Sequence, residues 1–319
     1  MASQVIGGAH TLAYTEGKLI GDPIEQQCFD GLSWKMSLDG SRVATSPGNV
    51  KITQVKKYMF NSALKRMSVL AVVNEQGSTQ MRVLSKGAPE ILQNYMKEVP
   101  ADYKNLYLKH TKNGARVLAL AYKNVPKMSQ IELNAYKREE AESDLIFCGF
   151  IVAECPLKPD TAAIIKELKD SSHEVKMITG DNALTAAFIG QQLTFGRGSS
   201  LFARKGSSKD TLLWLDLDDN QICSTKSAKE VQALSKKHML CINGDVLDEV
   251  IHFSESASTV RFIDVFSRTS PTQKGIIVGM LNLEGHKTLM CGDGTNDVGS
   301  LKRADVGLAI VNNKEISKE

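Results

Sequence analysis

The segment Cys291-Gly292-Asp293-Gly294-Thr295-Asn296-Asp297 constrains the fold of this chain more than any other. It follows an apolar run and leads into a helical pattern. Its glycines permit a sharp turn, and the turn sets Asp293 and Asp297 at the carboxyl end of a parallel strand, where α/β sheets bind ligands. Clustered carboxylates suit Mg2+, which prefers hard oxygen donors. Asp293 and Asp297 are therefore candidate metal ligands. The plainer alternative is a Gly-Asp turn with a helix cap at Asn296 or Asp297.

The sequence before this loop alternates as a doubly wound fold does. Strands are expected at Phe147–Val152, Val175–Ile178, Arg261–Phe266, Lys287–Cys291 and Val306–Val311. Helices are expected at Pro159–Leu168, Asn182–Leu193, Thr272–Asn282 and around Asp297–Arg303. Parallel strands buried on both faces read as unbroken apolar runs, and these do. The rhythm breaks across residues 197–259, rich in Ser, Lys and Asp, which reads as a partly mobile insertion. The first half is different. Strands at Met81–Ser85 and Arg116–Ala121, with helices at Pro89–Met96 and Gln130–Glu142, suggest an α+β domain around an antiparallel sheet. The expected division is residues 1–146 and 147–319.

Two further signals share the second domain. Thr179-Gly180-Asp181-Asn182 ends one strand and opens a helix, so the Thr179 hydroxyl and helix-start N–H groups suit a phosphoryl group. Lys274 lies on the helix after Arg268-Thr269-Ser270-Pro271 and could offset charge on a transferring phosphoryl group. Alone, each is as well explained by a capped turn or a solvated lysine. A decoy, Leu212–Asp219, resembles a strand ending in Asp-x-Asp, which would make Asp216 or Asp218 the nucleophile of a soluble phosphatase. It lacks a following Thr, and a surface hairpin is the simpler reading.

The order Thr179, Lys274, Asp293 is that of haloacid-dehalogenase-type phosphotransferases, in which a nucleophilic Asp precedes all three. No Asp upstream of Thr179 has an apolar strand before it and a Thr/Gly-rich turn after it. Met177–Asn182 and Cys291–Asp297 closely resemble the phosphorylation-domain motifs of P-type ATPases. Lys86-Gly87-Ala88-Pro89-Glu90 is similar to the lysine motif of their nucleotide-binding domain. Asp22-Pro23-Ile24-Glu25 resembles that domain's D-P-x-E segment, and Phe60 with Lys65-Arg66-Met67-Ser68 its adenine-pocket strand. Arg116 matches its ATP-contacting arginine. Cys155–Asp160, Ser62–Met67 and Leu289–Gly299 look like the A branch of the type V enzymes, which act in the endoplasmic-reticulum membrane on misplaced transmembrane helices.

The resemblance implies ATP and Mg2+ as cofactors. It implies an α+β nucleotide-binding domain, then a dehalogenase-like Rossmann phosphorylation domain lacking its first strand and the D-K-T-G-T nucleophile. Phe60 would stack on adenine. Glu25 would accept from the adenine edge or orient Lys65. Lys65, Lys86 and Arg116 would meet phosphate, with Met67, Gly87, Gly180, Asp181 and Arg268 completing the nucleotide contacts. Thr179, Lys274 and Asn296 would stabilise the phosphoryl oxygens, Asp293 would hold the metal, and Asp297 would orient Lys274 or a metal-bound water. The partners implied are the actuator and membrane domains of the same polypeptide and a transmembrane-helix substrate.

Composition bounds the rest. A formal net charge of +3 over 319 residues gives no argument for nucleic acid. No apolar run approaches the ~20 residues that span a bilayer, so the chain as it stands is expected to be soluble; the resemblance implies a monomeric fragment of a membrane enzyme, this portion facing the cytosol. The six cysteines show no C-x-x-C pair or zinc spacing and read as reduced thiols.

Overall fold

The computed structural model describes residues 1–15, 17–38, 43–61, 63–154 and 156–310. Ser62, Cys155 and Val311, which belonged to sequence motifs or strands above, lie outside the described residues. The chain divides into two compact units, Met1–His110 with Val117–Ala153, and Thr111–Arg116 with Glu154–Glu319.

The first unit opens with α1 (Ala2–Gly8), the hairpin β1 (Ala13–Thr15) and β2 (Lys18–Ile20), and α2 (Pro23–Gly31). Its sheet is built from β3 (Lys35–Met36), β4 (Val43–Thr45), β5 (Lys51–Asn61), β6 (Arg66–Glu75), β7 (Ser78–Gly87), β8 (Met96–Glu98), β9 (Arg116–Val125) and β10 (Leu145–Ala153), with α3 (Pro89–Leu92), α4 (Tyr103–Lys112), α5 (Gln130–Ala135) and α6 (Arg138–Ala141) between them. The strand order is β3-β4-β5-β6-β7-β9-β10-β8, antiparallel from β3 to β9 and parallel between β10 and β8. The expected antiparallel sheet is present.

Both faces of this sheet are covered, so β6 alternates between two apolar cores rather than between core and water. Met67, Val69 and Ala71 join Leu84, Ile52, Phe29 and Trp34 on one face. Leu70 joins Val83, Leu92, Tyr103 and Leu145 on the other. Double coverage explains β10, whose apolar run was expected to open the second domain. It pairs in the first sheet, so the division falls after Ala153, not at Phe147. The expected helix over 130–142 breaks at Tyr136, whose extended backbone separates α5 from α6.

The second unit contains α7 (Thr161–Asp170), β11 (Met177–Ile178), α8 (Ala183–Gln192), β12 (Ser200–Lys205), β13 (Leu212–Leu215), β14 (Gln221–Thr225), α9 (Ala228–Ser235), β15 (Met239–Asn243), α10 (Gly244–Val250), α11 (Ser256–Arg261), β16 (Val265–Ser267), α12 (Pro271–Leu283), β17 (Leu289–Gly292), α13 (Val298–Arg303) and β18 (Val306–Ala309). One sheet runs β11-β16-β15-β12-β13-β14. It is parallel from β11 to β12 and antiparallel through the β12-β13-β14 meander. The strand expected at 261–266 starts late because Arg261 ends α11.

Helices cover both faces of the parallel part. Ala186 and Ala187 of α8 meet Met239, Cys241 and Val265 on one face. Val231, Leu247, Val250, Val260 and Ile277, from α9 to α12, meet Leu240, Ile242 and Phe266 on the other. Strands β17 and β18 form a separate two-stranded parallel sheet joined through α13.

The stretch 197–259, expected as an insertion, is part of the second sheet. It supplies β12 and β15, two of the four parallel strands, and Trp214, which is fully buried with its indole N–H donated to Thr225 Oγ1 at 2.9 Å. Its Ser, Lys and Asp residues concealed short strands whose apolar positions face a core. Trp214→Ala should destabilise the second unit by about 3–5 kcal/mol, as for truncating a buried aromatic. Urea unfolding of the second unit checks this, and an unchanged midpoint would return the stretch to the status of an appendage.

Candidate functional site

In the first unit, chemistry gathers where α2 meets the end of β7. Asp22 caps α2, accepting from the N–H groups of Ile24 at 2.9 Å and Glu25 at 3.1 Å, with Pro23 at the first helical position. An acceptor followed by a residue with preset φ starts a helix, so the D-P-I-E spacing fixes Glu25 in the first turn. Glu25 Oε1 lies 2.5 Å from Lys86 Nζ, and Oε2 accepts from the N–H and hydroxyl of Thr11 at 2.9 and 3.0 Å. Both side chains are largely buried. Burial pushes the Glu25 carboxyl up, but Lys86 beside it and the bonds from Lys86 and Thr11 outweigh that and hold it below its ordinary value.

These contacts correct one expectation. Glu25 engages Lys86 and Thr11, not Lys65. Lys65 sits in the connection between β5 and β6 at φ 53°, and its carbonyl accepts from Ala88 N–H at 3.0 Å. Met67, expected among the nucleotide contacts, is 1% exposed and belongs to the apolar core, because its strand is covered on both faces. Phe60 is 60% exposed at the end of β5, an aromatic face open to a ligand.

Sequence reasoning missed His10 and Thr11. His10 is buried against the ring of Phe29, and Gln54 Nε2 donates to the neighbouring Gly8 carbonyl at 2.8 Å. Burial pushes the imidazole down to about 4. Glu25 works against that shift, and Lys57 and Lys86 add to it. A lone histidine between glycines and a threonine carries no signal of this in sequence.

In the second unit, the expected residues lie at the carboxyl ends of β11, β16 and β17. Thr179 N–H donates to Phe266 O at 2.8 Å, extending the β11–β16 ladder. The Thr179 carbonyl accepts from both the N–H and the hydroxyl of Thr269, at 3.1 and 3.0 Å. The Thr179 hydroxyl accepts from Asp181 N–H at 3.1 Å and donates to its carboxylate at 3.2 Å. Arg268, at φ 52°, donates its N–H to Asp181 O at 3.0 Å and Nη1 to Gly180 O at 3.4 Å. The loop after β16 thus braces the loop after β11. Asp181 also receives Arg116 Nε at 2.9 Å, which brings together two residues the sequence had marked separately. Asn182 caps α8 through Leu184 N–H, as expected.

Helix α12 starts with Ser270 and Gln273 in a reciprocal capping box. Lys274 then stands in the first turn, where the helix dipole disfavours a cation. Asp297 compensates, its Oδ1 lying 2.7 Å from Lys274 Nζ with both side chains nearly buried. Gly292 makes room for this, since a Cβ there would fall 2.6 Å from Asp297 Cβ and 2.8 Å from its Oδ2. Asp293 and Asn296 are exposed at the same strand end.

Asp297 engages Lys274, one of the two roles expected of it, and Asp293 is the exposed carboxylate of the loop. No group of three or more His, Cys, Asp or Glu side chains that could hold a metal occurs among the described residues. These residues fit Mg2+ only with further oxygen donors beside Asp293. Asp216 accepts from the N–H groups of Asp218 and Asn220 at 2.8 and 2.9 Å, an exposed hairpin turn between antiparallel strands. That is the surface hairpin, not a nucleophile at a parallel strand end. No helix among the described residues is long and apolar enough to cross a membrane.

Residues 32–160 match the family described as P-type ATPase, cytoplasmic domain N. The chain is 39% identical over 311 residues to a probable manganese-transporting ATPase of Arabidopsis thaliana, covering 98% of this chain and 26% of that protein. It is 37% identical over 317 residues to an endoplasmic reticulum transmembrane helix translocase of Saccharomyces cerevisiae, again covering 98% of this chain and 26% of that protein. Against a vacuolar cation-transporting ATPase of the same yeast the identity is 28% over 363 residues, covering 94% and 24%. The chain thus spans about a quarter of the length of the relatives it matches.

The depressed pKa of His10 makes the stability of the first unit depend on pH. An imidazole kept neutral when folded, yet protonated near 6.5 when unfolded, contributes stability that is present above 6.5. That stability is lost as pH falls toward 4. The loss should be on the order of 3 kcal/mol across that window, and His10→Gln should flatten it. Denaturant titrations between pH 7 and 4 check this, and parallel curves for both proteins would refute it.

Proposed function

We propose that the chain is part of a P-type ATPase, whose first unit binds ATP and whose second carries the phosphoryl-transfer groups of a membrane translocase; the family match over residues 32–160 and the similarity to named ATPases support this. The observation that carries this reading is the linked set at the carboxyl ends of β11, β16 and β17: Thr179 held by Thr269, and, five residues on, Lys274 held by Asp297. A hydroxyl, a cation and an adjacent exposed carboxylate at parallel strand ends suit a transferring phosphoryl group.

In the proposed chemistry, a carboxylate oxygen attacks the γ-phosphorus, the bond to the bridging oxygen breaks, and ADP leaves. Water then cleaves the resulting acyl phosphate. Lys274 would balance charge on the phosphoryl oxygens, with Asp297 fixing its amine, and Thr179 and Asn296 would donate to those oxygens. Mg2+, with Asp293 among its ligands, would screen the phosphate charge. In the first unit Phe60 would stack on adenine, while Lys65 and Lys86 line the nucleotide. In the second unit Arg116, Asp181 and Arg268 form a set suited to ribose or phosphate.

The attacking carboxylate would belong to a strand from the rest of the protein, and topology supports a place for it. Strand β16 lies between β15 and β11. Helix α12, which leads from β16 to β17, packs with α10 and α11 on one face. Crossovers are right-handed in about 98% of cases, so the step from β15 to β16 continues past β11 to β17. Neither β11 on its outer edge nor β17 opposite β18 has a strand partner among the described residues. One further parallel strand between them would complete a dehalogenase-type sheet.

The greater similarity to the yeast helix translocase than to the vacuolar cation ATPase supports the type V A branch. The intact protein would then draw transmembrane helices from the endoplasmic-reticulum membrane, with these units in the cytosol. The name of the plant relative supports a second reading, manganese as cargo.

Phe60→Ala and Lys86→Ala should each weaken ATP binding to this chain by about 1–3 kcal/mol, the scale of a lost aromatic or charged contact. Incubation with labelled ATP should leave no hydroxylamine-labile phosphate on it. Calorimetry and acid-gel labelling check these outcomes, and an acyl phosphate formed on these 319 residues would overturn the proposed source of the nucleophile. The full-length protein in proteoliposomes should release a tail-anchored helix on ATP addition without taking up Mn2+. The opposite result would favour the cation reading.

A further inference from the structure

The nucleotide pocket proposed above has the end of the β6–β7 ladder as its floor, and the reverse of that ladder carries a buried charge cluster. Register pairs Arg66 with Gly87, Met67 with Lys86 and Ser68 with Ser85. Alternation sends Lys86 and Met67 to the face of Leu84 and Val69, where Glu25 and His10 lie. It sends Ser85, Ser68 and Arg66 to the face of Val83 and Leu70.

On that second face stands Glu142, fully buried. Its Oε2 accepts from Arg66 Nε at 2.6 Å. Its Oε1 accepts from Arg138 Nε at 3.0 Å and from the Ser68 hydroxyl at 2.8 Å. Ser68 and Ser85 are themselves bonded, hydroxyl to hydroxyl, at 2.8 Å. The arginines reach further. Arg66 Nη1 donates to Leu64 O at 3.2 Å, Arg138 Nη2 donates to Arg66 O at 3.1 Å, and the Arg66 guanidinium lies 4.0 Å from the centre of the Tyr95 ring. The segment bearing Glu142 is fixed to the sheet by Lys123, whose amine donates to Glu140 O at 2.6 Å and Ser143 O at 3.0 Å.

A buried carboxylate between two arginines adds little net stability, because desolvation offsets the attraction; apolar residues of similar volume often serve as well. What the cluster does supply is geometry. It joins the β5–β6 turn, both strands of the ladder and the end of α6 through directional bonds. It does so where the strands leave no room for a side chain: a Cβ on Gly87 would fall 2.6 Å from Arg66 Cβ and 2.9 Å from Lys65 O.

We propose that Glu142, acting through Arg66 and the Ser68–Ser85 pair, is a positioning residue that holds Lys65, Lys86 and Gly87 at the spacing a bound nucleotide requires. This rests on the reading of that strand end as the nucleotide pocket.

Two variants of the 319-residue chain separate position from stability. The triple replacement Arg66→Met, Arg138→Leu, Glu142→Leu removes every charge of the cluster and leaves none unpaired. It should keep the urea midpoint, weaken ATP binding about tenfold, as misplacement of binding groups does, and speed amide exchange at Ala88, whose N–H bonds to Lys65 O. Ser85→Ala leaves the triad intact and cuts only its link to β7. It should weaken ATP binding about threefold at unchanged stability.

A folded triple variant with unaltered affinity and exchange would overturn the proposal. If the triple variant does not fold, Ser85→Ala decides alone, and unaltered affinity there overturns it equally. Phe60→Ala and Lys86→Ala serve as controls. If neither changes affinity, the pocket reading itself fails. If they weaken binding while Ser85→Ala and the triple variant do not, only the role of Glu142 falls.

Discussion

In each unit a lysine is held largely out of water by one carboxylate: Lys86 by Glu25, and Lys274 by Asp297. An ammonium removed from water without a partner costs several kcal/mol, so the rest of each site is arranged to keep that partner in place. Asp22 and Pro23 start α2 so that Glu25 falls in the first turn, and Thr11 takes the second carboxylate oxygen. Gly292 has no side chain, so Asp297 can fold back over the strand end. The cations are thereby positioned before any ligand arrives. A cation so held needs no further ordering to meet an anionic ligand, and such preorganisation spares the cost of ordering at the moment of binding.

The same economy is visible in the sheets. Both carry apolar cores on two faces, which leaves the loops at strand ends as the places where polar groups can gather. In the second unit those loops brace one another, Thr269 on Thr179 and Arg268 on Asp181, so short strands of two or three residues still end in defined turns. In the first, a long antiparallel ladder does this work, and its last pairs carry polar groups on both sides.

Much of this was legible in the sequence because local chemistry and global fold agree. The Cys291–Asp297 turn and the Asn182 cap each contain their own geometric instruction, and each forms as read; the D-P-I-E segment, known in sequence only by resemblance, proves to be a capped helix start. The strand at 147–152 was legible as a strand but not as a member of the first sheet, because a doubly covered antiparallel strand and a parallel one give the same apolar run. Residues 197–259 hid β12 and β15 because strands of five or six residues between Ser- and Lys-rich turns give too short a pattern. Met67 and Phe60 share one motif, yet one is core and the other open to solvent. Both lie near strand ends, and what separates them is cover: Met67 lies within the first apolar core, whereas Phe60 has none over it. His10 and Glu142 were invisible for a different reason: Gln54 lies 44 residues from His10, and Ser68 and Arg66, which join Glu142 to the sheet, lie more than 70 residues from it.

The pair β17–β18 lacks the double coverage of the two large sheets. Leu289, Val306, Leu308 and Ile310 are each about half exposed or more, and a two-stranded sheet is marginal without further cover. The order of the Asp293 turn at the end of β17 is thus tied to a sheet with little cover of its own, and whatever packs on that sheet would steady the carboxylate as well.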